Sequence, residues 1–155
     1  ARALGNRSIL ARPDLKGTVK KINEAVKNRD FWMPFAVTIL NEHHKNFIIN
    51  KKSLKSSHMT MGFDTVKSNL KFIVSGTHPY DETVRPQILE RDFNPKYYDL
   101  INRFYKKTKI PALLNTSLNL HGKPTVNCLD QAIFTLNNSK LDCLVVNYKY
   151  LITKN

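Results

Sequence analysis

Apolar residues recur at helical spacing from Asp14 to Asn28, where Val19, Ile22, Ala25 and Val26 fall on one stripe and Asp14 is placed to cap the start. That stripe predicts a helix packed on a sheet. A second helix is predicted from Asn94-Pro95, a capping residue followed by proline at the first helical position, carrying Tyr98, Ile101, Phe104 and Tyr105 inward as far as Lys109. A third, Leu129 to Asn137, buries Ala132, Ile133 and Leu136. Between them lie short runs rich in branched and aromatic residues, expected as strands: Phe35 to Leu40, Phe47 to Asn50, Leu70 to Ser75, Val84 to Leu89, Ala112 to Asn115 and Cys143 to Leu151. The alternation predicts an α/β (α+β) fold, a sheet with helices packed on it. Lys51 to Asn69 is polar and aperiodic, and is expected as a long lid or ligand loop with at most one strand around Met59 to Met61.

With 155 residues, 41% hydrophobic and 24% charged, the chain suits one globular domain, 1–155, and not a disordered tail. No apolar run reaches the length of a membrane span. The two cysteines, Cys128 and Cys143, lack CxxC or Cys-His spacing, which points to a reducing cytoplasm with both thiols as small core residues. A formal charge of +13 calls for an anionic partner: nucleic acid, an acidic membrane surface or a polyanionic small ligand. The lysines are scattered, without a basic run or a basic-aromatic repeat. Most therefore read as solvated surface, and nucleic acid is not favoured.

Chemistry concentrates in a few places. Arg2-Ala3-Leu4-Gly5-Asn6-Arg7-Ser8 offers two guanidiniums, a hydroxyl and a glycine that lets backbone approach a ligand, a set suited to phosphate or carboxylate. Lys27-Asn28-Arg29 reads either as a phosphate clamp or as cations favoured at a helix C-terminus. Ser117-Leu118-Asn119 ends a buried strand in a hydroxyl and an amide, groups that orient a base or acyl group but are equally common in turns. Arg85 alternates with apolar neighbours and shares a face with Thr83 and Gln87, as a ligand group or as solvent-facing charge. His78 and Asp81 fit acid-base work or a turn. The remaining histidines, His43, His44, His58 and His121, lack zinc spacing, and no P-loop, GxGxxG or GxSxG is present.

Taken in order, Arg2 to Leu10, Lys27-x-Arg29 with Phe31 to Ala36, His78 to Gln87, and Leu113 to Asn119 with Gly122-Lys123-Pro124 resemble the C-terminal domain of the NodU/CmcH-type O-carbamoyltransferases. The resemblance spans nearly the whole chain. In that family the first motif is usually preceded by proline, so Ala1 there suggests a domain excised from a longer protein. The resemblance implies a YrdC-like fold, a twisted mixed open sheet around a basic cavity for ATP and a one-carbon donor. It places Lys27, Arg29, Ser117 and Asn119 on that cavity, with Arg2, Asn6, Arg7, Arg85, Asn115 and Thr116 as further lining. It also implies Mg2+ arriving with ATP, carbamoyl phosphate as co-substrate, a carbamoyl adenylate product, and an N-terminal transferase domain as partner. Met33 stands where the family usually has arginine. An RNA-binding module and a domain that keeps the fold without catalysis are the alternatives.

Overall fold

The computed structural model describes residues 5–27 and 33–154. Arg2 and Arg29 lie outside them. In chain order the elements are β1 (Ser8–Ala11), α1 (Lys16–Ile22) continued by a π-helical turn (Asn23–Lys27), β2 (Ala36–Leu40), β3 (Ile48–Ile49), β4 (Asp64–Thr65), β5 (Gln87–Leu89), α2 (Pro95–Thr108), β6 (Ala112–Ser117), α3 (Leu129–Asn137), β7 (Cys143–Val146) and β8 (Tyr150–Thr153).

Four strands form a mixed open sheet in the order β1-β6-β2-β5, with β1 and β2 antiparallel to β6 and β5 parallel to β2. The Ala-Val-Thr-Ile-Leu run of β2 is buried throughout, as a central strand covered on both faces must be. Strand alternation sends Val37 and Ile39 of β2, with Ala112 and Leu114 of β6, into a large core shared with Ile22, Val26 and Ala132 from the first and third helices. Leu40 and Leu113 face the other way and meet Leu89, Tyr97 and Ile101. Helices thus cover both faces of the expected mixed sheet.

The helix predictions translate closely. Asn94 caps α2 by accepting the backbone N–H of Tyr97 at 3.2 Å, Pro95 takes the first turn, and Lys109 closes it in the left-handed region at φ 63°. Tyr97 and Ile101, one turn apart, are its fully buried pair, while Tyr98, Phe104 and Tyr105 are half-buried. Asp14 does not cap α1, whose N-cap is Leu15; its carboxylate instead takes the Arg12 guanidinium at 2.7 and 3.1 Å, which holds it below the usual carboxylate range.

Other expectations are corrected. Leu70 to Ser75 is not a strand: it belongs to two 3₁₀ turns, Lys67–Phe72 and Val74–Gly76, because its amides bond locally and Ser75 N–H reaches the carbonyl of Pro13 at 2.8 Å. Gly76 backs onto Val37, where a Cβ would fall 2.3 Å from Cγ1. In the 51–69 loop the strand is Asp64–Thr65, paired with β3, and not Met59 to Met61. Cys143 to Leu151 is a hairpin with a three-residue loop, 147–149: Asn147 and Tyr148, both at positive φ, are the centre of a turn closed by Lys149 N–H donating to Val146 C=O at 3.0 Å. Both cysteines are exposed, Cys128 at the start of α3 and Cys143 on the outer side of β7, where strand alternation turns Leu144 and Val146 inward instead. Among the described residues, no helix is long and apolar enough to cross a membrane.

Candidate anion-binding site

β1 begins where the first motif ends, and its pairing with β6 sets Ser8 opposite Ser117 and Ile9 opposite Thr116. Two segments far apart in sequence thereby become neighbours. Arg7 fastens the junction: its carbonyl accepts the Leu118 N–H at 2.8 Å, and its guanidinium donates to the carbonyl of Val126 at 3.2 Å. Val126 N–H donates in turn to Leu118 C=O at 3.0 Å, closing the loop 118–126 on itself.

Lys27 ends the π-helical turn, a distortion often found at functional positions, and is only 3% exposed. Its ammonium donates to the Ser117 carbonyl at 2.6 Å, to Ser117 Oγ at 3.2 Å and to Asn119 Oδ1 at 2.6 Å. Ser117 Oγ–H donates to Asn119 Oδ1 at 2.6 Å, and the Asn119 amide donates to the carbonyls of Leu120 and Lys123 at 3.0 and 2.8 Å. Among the described residues the buried ammonium is thus held by a carbonyl, a hydroxyl and an amide oxygen. Those hydrogen bonds offset the cost of burying the ammonium.

The other candidates are placed differently. Asn6 is exposed and its Oδ1 accepts from the Asn94 amide at 3.4 Å, linking the first motif to the cap of α2. Asn115 faces α2, its amide donating to Thr38 Oγ1 at 3.0 Å, and Thr116 is buried on the opposite side of β6. Arg85 is exposed, whereas Gln87 is fully buried and accepts from Thr38 at 2.8 Å, so the expected shared face does not form. The reason is local: Pro86 has no N–H, and the strand starts only at Gln87. His78 and Asp81 close a turn, with Asp81 accepting the N–H and hydroxyl of Thr83, which lowers its pKa. An open cleft of about 470 Å³ borders the 51–69 loop, lined by Ile49, Lys51, Lys52 and Phe63 among others. None of the candidate residues lines it, and the site is assigned by its donors and not by concavity.

Two features went unread in the sequence. Tyr97, fully buried, donates its hydroxyl to Thr38 Oγ1 at 3.0 Å, and its ring lies directly under Gly5. The first motif's glycine is thus required by a tyrosine packed against it. Burial raises the Tyr97 pKa above its ordinary 10, against the smaller lowering effect of the Thr38 hydrogen bond. The folded state therefore holds this proton more tightly than the unfolded chain does. The contribution is intact below pH 10 and is lost as pH rises beyond it. Denaturant unfolding between about pH 9 and about pH 11 is expected to show Tyr97→Phe losing stability less steeply than wild type, by up to about 1.4 kcal/mol per pH unit. Parallel curves would refute it. The second feature, His121, is taken up below.

The family model described as carbamoyltransferase C-terminus matches residues 1–154. The chain is 40% identical, over 99% of its length, to an uncharacterised protein of Methanocaldococcus jannaschii, and 38% identical, again over 99%, to nodulation protein NolO of Bradyrhizobium diazoefficiens. It is 29% identical over 94% of its length to the 3'-hydroxymethylcephem-O-carbamoyltransferase of Amycolatopsis lactamdurans. It spans 29%, 28% and 27% of the lengths of these three relatives, and in NolO and the cephem carbamoyltransferase it matches the C-terminal part. Lys27 with Ser117 and Asn119 form one cluster, and the family pattern runs the length of the sequence: the chain belongs to the carbamoyltransferase C-terminus family.

Proposed function

We infer that this chain binds ATP and carbamoyl phosphate and forms a carbamoyl adenylate, which a transferase domain elsewhere in the longer protein delivers to a hydroxyl acceptor. The observation that carries this reading is the buried Lys27 ammonium held by Ser117 and Asn119. In the proposed reaction water cleaves carbamoyl phosphate to carbamate and phosphate. A carbamate oxygen then bonds to the α-phosphorus of ATP as the bond to the β-phosphate oxygen breaks and pyrophosphate leaves. Negative charge shifts among phosphate oxygens in both steps, so cations fixed in a closed site stabilise the transition states without a protein nucleophile.

Lys27, Ser117 and Arg7 suit phosphate by their donor chemistry, while Arg2 and Arg29 enter on sequence resemblance alone. Mg2+ supplies charge neutralisation when it arrives on the ATP phosphates. Met33, 38% exposed, cannot donate as the arginine usual in the family does, so donor affinity below that of an arginine-bearing relative is expected.

Calorimetric titration of the 155-residue chain with ATP and magnesium, with and without carbamoyl phosphate, tests the reading. Binding is expected, weakened about tenfold by Ser117→Ala, which removes both a donor and an acceptor. A folded chain that binds no ATP in either condition overturns it.

A further inference from the structure

The turn from Leu120 to Lys123, closed by Lys123 N–H donating to Leu120 C=O at 3.1 Å and with Gly122 at φ 71°, presents His121 to the end of the π-helical turn. Two donors of this one residue meet two consecutive carbonyls there. The His121 backbone N–H donates to Val26 C=O at 2.9 Å, and its ring Nδ1 lies 2.6 Å from Lys27 C=O. A carbonyl oxygen only accepts, so Nδ1 carries the proton. The last carbonyls of a helix have no partner within it, and here His121 supplies both.

Lys27 is consequently gripped at both ends: its backbone by His121, and its ammonium by Ser117 and Asn119, which lie just before His121 on the same loop. We propose that His121 is a positioning residue, the group that holds the Lys27 backbone in register with Ser117 and Asn119 so that the ammonium stands where an anion meets it. The assignment rests on the anion-site reading of Lys27. It concerns neither a metal ligand nor a proton carrier; His121 acts only through Lys27. A flexible lysine side chain has many rotamers, and a backbone fixed within hydrogen-bond reach of Ser117 and Asn119 is what selects one.

Two measurements on the whole 155-residue chain test it. Long-range proton-nitrogen NMR of the labelled histidines is expected to show the neutral His121 ring protonated at Nδ1; a neutral ring protonated at Nε2 overturns the assignment. Titration with ATP and magnesium is expected to give about tenfold weaker binding for His121→Ala. His121→Asn, whose amide nitrogen replaces Nδ1, stays within about threefold of wild type, and His121→Gln, whose amide lies one bond further out, does not. Wild-type binding with an unchanged His121→Ala, or with His121→Asn as weak as His121→Ala, sinks the positioning role and leaves the anion site standing. No ATP binding by folded wild type removes the anion site and with it the role of His121.

Discussion

Lys27→Met is expected to weaken ATP binding by about a hundredfold while moving the thermal midpoint by only a few degrees. Loss of one charge-assisted contact to phosphate removes about 1.5–3 kcal/mol, and the upper part of that range is a hundredfold in affinity. Stability responds to two opposed effects. The ammonium, 3% exposed, no longer has to be desolvated, but the Ser117 carbonyl loses its 2.6 Å donor. Asn119 Oδ1 keeps the Ser117 hydroxyl as a donor and so is not left wanting. Replacing a buried charge by an apolar chain of similar length is often near neutral for folding. Calorimetry and thermal melting on the same preparations separate the effects, and equal losses in both would show that Lys27 is a structural cation.

Gly5→Ala is expected to be the most damaging single methyl in the molecule's first motif, lowering stability by about 2–5 kcal/mol. An added Cβ would lie 2.4, 2.6 and 2.8 Å from three ring carbons of Tyr97, and the backbone sits at φ 88°, where side chains are strained. The ring cannot retreat: it is fully buried, with its hydroxyl held by Thr38, which also takes the Asn115 amide. Relief must come from the 5–8 segment, which would pull β1 from its register with β6 and carry Arg7 away from Leu118. Denaturant unfolding measures the loss. In a Tyr97→Ala background, where the obstructing ring is gone, Gly5→Ala is expected to retain only its backbone strain, about 1 kcal/mol. An undiminished loss there would mean that the ring is not the obstacle.

Both predictions depend on pairings that no local pattern announces. The helices were legible because a stripe, a cap and a proline each act within a few residues: Asn94-Pro95 starts α2 where expected, and α3 runs from Leu129 to Asn137 as read. The hairpin of β7 and β8 was hidden because Asn147-Tyr148 makes its turn without the glycine that usually marks one. Leu70 to Ser75 misled in the other direction. Its apolar residues are half-buried or, like Ile73, fully buried, but burial does not distinguish a strand from a 3₁₀ turn.

For the site, residue chemistry marked Lys27 as a phosphate clamp or a helix-end cation and Ser117 and Asn119 as orienting or turn groups, while the order of the motifs along the chain indicated the family to which it belongs. Helix positions and the presence of a sheet with helices packed on it were likewise contained in the sequence, since each follows from spacing and side-chain type. The tertiary structure decided which of these groups meet. Strand register brings Ser8 beside Ser117, the π-helical turn buries Lys27 against the loop after β6, and the same packing sends Asn115 to Thr38 and leaves Arg85 exposed. Such pairings join residues about ninety positions apart, as Lys27 and Ser117 are, and are chosen by how sheet and helices fill one core, a competition among whole arrangements that no stretch of sequence settles by itself.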